Sequence, residues 1–122
     1  MYEILKKERL ADETVLMEVS APRIASSALP GQFLIVKTHE KAERIPLTIC
    51  DYDPPRGVVV LVFKVVGKST REMAALEAGD AFLDVVGPLG RPSGWVALSD
   101  EQLRARRFVF VGGGVGIAPI FP

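Results

Sequence analysis

Residues 44–70 read RIPLTICDYDPPRGVVVLVFKVVGKST, and they contain two strands, the turn between them and the start of a helix. In an extended chain successive side chains point to opposite faces. Ile45, Leu47 and Ile49 therefore share a face that belongs in a core, while Arg44, Pro46, Thr48 and Cys50 share the other. Val58 to Val66 (VVVLVFKVV) is the strongest strand signal in the chain, and the Asp/Pro/Gly-rich text from Asp51 to Gly57 reads as the turn before it. Ser69 and Glu72 have the spacing of a capping box, which predicts a helix over Thr70 to Glu77. Met73 and Leu76 fall on one stripe of that helix, and Gly79 lies just past its end.

On either side the text is mostly strand as well. Tyr2 to Arg9, Thr14 to Ser20 and Gln32 to His39 are apolar or β-branched runs, separated by Ala21-Pro22 and Leu29-Pro30-Gly31. Tyr2 and Ile4 are out of phase with Leu5, so the first strand has only a weakly defined face. Ala81 to Val86 is a further strand, closed by the turn Gly87-Pro88-Leu89-Gly90, and Ser99 and Gln102 suggest a second short capped helix through about residue 106. Short strands at this spacing predict an all-β barrel or sandwich. The style then changes. Phe108 to Val111 is apolar at every position and runs directly into Gly112, Gly113, Gly114, Val115 and Gly116. A continuously apolar strand followed by a glycine loop is how a parallel α/β unit opens. The expected division is one complete domain over 1–105 and the truncated start of a second over 106–122.

Composition narrows the function. Of 122 residues 48% are hydrophobic, and 15 basic side chains balance 15 acidic ones. A zero formal charge with no long basic run argues against non-specific nucleic-acid binding. The longest apolar run, Val58 to Phe63, is far short of the ~20 residues of a membrane helix. Met1 to Arg9 carries charge with no apolar signal region behind it, so a cytoplasmic protein is expected. One cysteine, Cys50, excludes an internal disulfide and an iron–sulfur cluster held by this chain's thiolates. No metal site is expected.

Three places carry chemistry. Arg44 and Thr48 put a guanidinium fork and a hydroxyl on one strand face, fit for a phosphate and a ring nitrogen, or for a solvated strand surface. Gly67 and Lys68 precede the capped helix, where free N–H groups, the helix dipole and a cation favour an anion; a well-capped helix alone reads the same way. Glu72 counts against the anion unless it folds back into the capping box. The glycines at 112–116 let backbone approach a pyrophosphate, although their spacing is not the strict dinucleotide fingerprint. His39 reads as a surface loop residue, Cys50 as a small buried apolar group and Asp51 with Asp53 as turn formers. Trp95 either lines a site or closes the barrel. No side chain stands out as a general base.

The order RIPLT, apolar strand, VGKST at a helix start, GPLGRPS and VGGGVGIAP resembles the ferredoxin–NADP reductase superfamily from end to end. The wording PGQF, ERIPLTI, VGKSTRE and EAGD is most similar to the branch of small flavin subunits of NADH-dependent ferredoxin:NADP oxidoreductases, the sulfide dehydrogenase β-type subunits. The resemblance implies a Greek-key antiparallel barrel of about six strands with one short helix that binds FAD, followed by a nucleotide-binding α/β domain. It implies that Arg44 holds the FAD phosphates, that Pro46, Leu47 and Thr48 lie along the flavin, and that Phe63, Lys64 and Val65 pass the ribityl and adenosine part. Gly67, Lys68, Ser69 and Thr70 would cap the diphosphate, and Gly112, Gly113, Gly114 and Gly116 would face the pyridine nucleotide. Leu47 stands where the superfamily usually has an aromatic residue, a substitution typical of this branch.

The function implied is that of an oxidoreductase subunit passing electrons between NAD(P)H and ferredoxin or an iron–sulfur partner. The partners would be a larger iron–sulfur flavoprotein subunit and ferredoxin, and any 2Fe-2S cluster would belong to a cysteine-rich C-terminal segment beyond these residues. Hydride transfer to a flavin needs no protein base. A fragment without its nucleotide domain is expected to be inactive in NAD(P)H oxidation. The alternatives are an electron-transfer subunit of dihydroorotate dehydrogenase and a β-barrel that binds a ligand without redox chemistry.

Overall fold

The computed structural model describes residues 2–91. Trp95, the helix expected from Ser99, the strand Phe108–Val111, the glycines at 112–116 and the boundary at 105/106 lie outside the described residues. The elements are β1 (Tyr2–Ala11), β2 (Thr14–Ser20), α1 (Pro22–Ser27), β3 (Phe33–Lys37), β4 (Ile45–Asp53), β5 (Val58–Lys64), α2 (Lys68–Ala74), β6 (Ala81–Phe82) and β7 (Asp84–Leu89).

The strands form one antiparallel sheet in the order β6-β1-β2-β5-β4-β3-β7. Its two edge strands are consecutive in the chain, separated only by Leu83, whose N–H donates to the Lys37 carbonyl at 2.9 Å. The sheet therefore wraps round until its ends meet, which removes the free edges an open sheet would expose. Counting β6 and β7 as two halves of one strand gives the six-stranded barrel expected from the sequence. The strand predicted at Ala81–Val86 is thus broken at Leu83, because its first half pairs with β1 and its second with β3. β3, β4 and β5 follow one another, and β7 returns beside β3, which is the Greek-key arrangement.

The core follows from alternation. Val15, Met17 and Val19 of β2 point inward, as do Leu34 and Val36 of β3 and Val59, Leu61 and Phe63 of β5, all buried. Ile4 and Phe82 complete it where β1 meets β6. In β1 the bulge between Ile4 and Lys6 resolves the phase conflict seen in the sequence: Ile4 is buried while Leu5 is 42% exposed.

Both helices are short plugs. α1 was not legible as a helix, since Ala21-Pro22 reads as a strand end. Pro22 in fact stands in the first turn, where its missing N–H costs nothing, and Ile24 and Ala25 are buried beneath it. α2 begins at Lys68, not Thr70, and ends at Ala74, not Glu77. It buries Met73 completely, and the Lys7 ammonium of β1 donates to the carbonyl of Ala74 at its C-terminal end, where a cation suits the helix dipole. Among the described residues no helix is long and apolar enough to cross a membrane.

The turn after β4 is shorter than the sequence suggested. Asp51 to Asp53 remain in the strand, and only 54–57 turn, with the Gly57 N–H donating to the Pro54 carbonyl at 3.0 Å. Gly57 sits at φ +67, and a Cβ there would lie 3.0 Å from the Pro22 ring, so glycine is required by both conformation and space.

Candidate functional site

The site grows out of a fault in the sheet. The first half of β4 is registered on β3, from Ile45↔Val36 to Thr48↔Phe33. Its second half is registered on β5, from Ile49↔Leu61 to Asp53↔Val58. Cys50 is the extra residue between Ile49↔Leu61 and Asp51↔Val60, a bulge of the kind that bends a strand from one sheet direction to another. Beyond Leu61, the β5 residues Val62, Phe63 and Lys64 are registered on β2 alone among the described residues. The barrel wall thus opens between Ile45–Thr48 and Val62–Lys64, flanked by the two motifs singled out in the sequence. Pro46 lies on this divergent half, where the lack of an N–H disturbs no β4–β5 ladder.

At the end of the opening lies a cavity of about 370 Å³. One wall is the connection between β3 and β4, with Lys41, Ala42 and Glu43; the other is Val66 to Thr70 with Glu72. Gly67, not Ser69, is the N-cap of α2. The cap works through Thr70, whose Oγ1 accepts from the N–H groups of Val66 at 2.9 Å and Gly67 at 3.0 Å. Ser69 Oγ donates instead across the cavity to Glu43 Oε2 at 3.1 Å. Glu72 does not fold back into a capping box. Its Oε2 lies 3.1 Å from Nε2 of His39 on the connection between β3 and β4.

Arg44 precedes β4 and is half exposed, with Nη1 3.2 Å from Asp84 Oδ2 of β7. Pro46 and Lys64 are exposed, and Thr48 is half-buried. Leu47 and Val65 are partly buried against the core, and Phe63 is buried within it. Of the residues singled out in the sequence, Gly67–Thr70 line the cavity, while Pro46–Thr48 and Phe63–Lys64 lie on the strand segments that are not paired with each other, with Arg44 just before the first and Val65 just after the second. The sequence did not reveal Glu43 and His39 as cavity partners, because their contacts span 26 and 33 residues.

Cys50 faces away from this site. It lines a separate groove of about 520 Å³ on the outside of the barrel, with Leu10, Leu16, Val60 and Val62. Burial, and then the neighbouring Asp51 carboxylate, push its thiol above the ordinary range, so it stays protonated near neutral pH and is a poor nucleophile. The same two causes, in the same order, raise the Tyr52 phenol.

No family model matches the chain. Over 122 residues it is 51% identical to the uncharacterized protein in the adh 3′ region of Clostridium beijerinckii, spanning all of this chain and 41% of that protein. It is 44% identical to the dihydroorotate dehydrogenase B (NAD(+)) electron transfer subunit homolog of Thermotoga maritima, with the same coverage. The structure of an NADH-dependent reduced ferredoxin-NADP oxidoreductase, solved for its flavin-based electron bifurcation, matches 76% of this chain and 34% of its own at 46% identity and a TM-score of 0.75. The chain's likeness is to the ferredoxin–NADP reductase superfamily. A ferredoxin-NADP+ reductase of Plasmodium falciparum, 16% identical, shares the fold with a TM-score of 0.70 over 98% of this chain and 49% of its own. The chain spans less than half the length of these two curated relatives.

Proposed function

We propose that this chain binds FAD along the opening between β4 and β5, as the flavin-binding part of a subunit that moves electrons between NAD(P)H and ferredoxin or an iron–sulfur partner. The observation that carries the reading is the opening itself, bordered by Arg44, Pro46–Thr48, Phe63–Val65 and Gly67–Thr70. It offers a flat ligand a slot between two diverging strand segments, with a cation at one side and a polar cavity at the end.

In this reading Arg44 exchanges Asp84 for a phosphate oxygen, a charge-assisted contact suited to its planar fork. The backbone of 67–70 would hold the diphosphate, and Thr48 Oγ1 would bond the edge of the ring system. The core behind Leu47 and Phe63 keeps water from that face of the slot. When bound, the flavin supplies hydride acceptance and one-electron release, while the chain fixes its position and environment. No described side chain needs to take up a substrate proton. The pyridine nucleotide would meet the glycines at 112–116, and the partner would be a larger iron–sulfur subunit. A dihydroorotate dehydrogenase electron-transfer role is the second reading, favoured by the likeness to the Thermotoga subunit homolog.

Titration of the chain with FAD, FMN and riboflavin, read by flavin fluorescence, tests the site. FAD is expected to bind at least about tenfold more tightly than FMN, since only FAD brings a diphosphate to 67–70. Equal affinity for the three flavins would remove the diphosphate cavity from the account. No uptake of any flavin would leave a barrel that binds some other ligand.

A further inference from the structure

We propose that Gln32 is a positioning residue for the flavin slot: its buried side chain clamps the end of β7 to the start of β3 and so fixes Thr48 at the point where β4 changes partner. The inference rests on the FAD reading above and deepens it. Gln32 is the one buried polar residue among the described residues, 9% exposed. A group of this kind stays buried only with its hydrogen bonds made. Its Oε1 accepts from the Leu29 N–H at 2.9 Å, and its Nε2 donates to the Gly90 carbonyl at 3.0 Å. One partner only donates and the other only accepts, which fixes the orientation of the amide.

The side chain supplies what the ladder lacks. Phe33 is registered on Leu89 but Ile35 on Val86, so β7 carries one extra residue here and the pairing is irregular where the strand ends. Gln32 bridges that end, reaching Gly90 across 58 residues of sequence. Gly90 in turn sits so close to Phe33 that a Cβ there would lie 2.9 Å from the ring. On the other side of β3 the Gln32 carbonyl accepts from the Ile49 N–H at 3.0 Å, and Phe33 stands opposite Thr48. Opposed residues of an antiparallel pair share a face as near neighbours, so Phe33 stands between Gly90 and Thr48. Thr48 is the last β4 residue registered on β3, and Ile49 is the first registered on β5. Loss of the clamp therefore loosens the sheet at the residue whose hydroxyl is to meet the ring edge. Pro30–Phe33 and Gly87–Gly90, far apart in sequence, meet in this clamp.

The test is FAD affinity of the 122-residue chain carrying Gln32→Glu, Thr48→Val or both, with the melting temperature measured beside it. Gln32→Glu keeps an acceptor for the Leu29 N–H but sets a second acceptor, not a donor, against the Gly90 carbonyl. Gln32→Glu and Thr48→Val are each expected to weaken FAD binding about tenfold, the upper scale of one neutral hydrogen bond. The double variant is expected to lose no more than Thr48→Val alone, because Gln32 acts through Thr48. Val19→Ala, buried between β1 and β5, is expected to lower the melting temperature and leave FAD affinity within about twofold. Gln32→Met, which keeps the length and loses both bonds, replaces Gln32→Glu in the cycle if the carboxylate prevents folding. Losses that multiply in the double variant, or wild-type affinity in the Gln32 variant, would overturn the proposal. So would a loss of affinity in Val19→Ala as large as that at Gln32, since stability alone would then account for both. Wild-type protein that takes up no FAD would overturn the functional reading first, and this inference with it.

Discussion

Arg44→Ala is expected to weaken FAD binding by roughly 10- to 150-fold, the equivalent of losing one charge-assisted hydrogen bond worth about 1.5–3 kcal/mol. Folding should scarcely change. The only ion pair Arg44 makes among the described residues is with Asp84, and both side chains are about half exposed, at 52% and 40%. Such a pair contributes at most about 1 kcal/mol. Arg44→Lys should fall between the two proteins, because an ammonium keeps the charge but not the planar fork. Calorimetric titration alongside a thermal melt separates the two effects. Unchanged FAD affinity in Arg44→Ala would remove the residue from the site.

Phe82→Ala tests the architecture instead of the site. Phe82 is fully buried where β6 closes the barrel onto β1, opposite Tyr2 in the register. Truncating a buried phenylalanine removes its transfer energy and leaves a cavity, at a cost of about 3–5 kcal/mol. For a domain of this size that corresponds to a fall in melting temperature of at least about 12 °C. Leu5→Ala is the control on the neighbouring strand, since Leu5 is 42% exposed and surface truncations stay within about 0.5 kcal/mol. A loss below about 1 kcal/mol in Phe82→Ala would mean that the β1–β6 seam does not hold the barrel closed.

The contrast between what the sequence disclosed and what it hid has physical causes. The β5 run Val58–Phe63 was legible because β-branched residues on a buried strand leave little ambiguity. Ile45, Leu47 and Ile49 were placed correctly on the inner face, since alternation needs no tertiary information. The α2 boundaries were misread because Ser69 and Glu72 imitate a capping box, whereas the working cap is Gly67 with the Thr70 hydroxyl. The extent of β4 was misread because Asp51 and Asp53 beside Pro54-Pro55 look like turn formers, yet β5 pairing holds them in the strand. The opening beside β4 is the deeper omission. It arises from a one-residue bulge at Cys50, and nothing in RIPLTIC marks where a strand changes partner. The cavity walls were invisible for a related reason: Glu43 and Glu72 find partners only once the β3–β4 connection and α2 are brought together.

Amide chemical-shift mapping on the 122-residue chain, with and without FAD, tests the central claim most directly. Binding along the opening predicts that the largest shifts fall on Arg44, Leu47 and Thr48 and on residues 62–70. Shifts concentrated on Leu16, Cys50 and Val60 of the outer groove, or no shifts at saturating FAD, would contradict it.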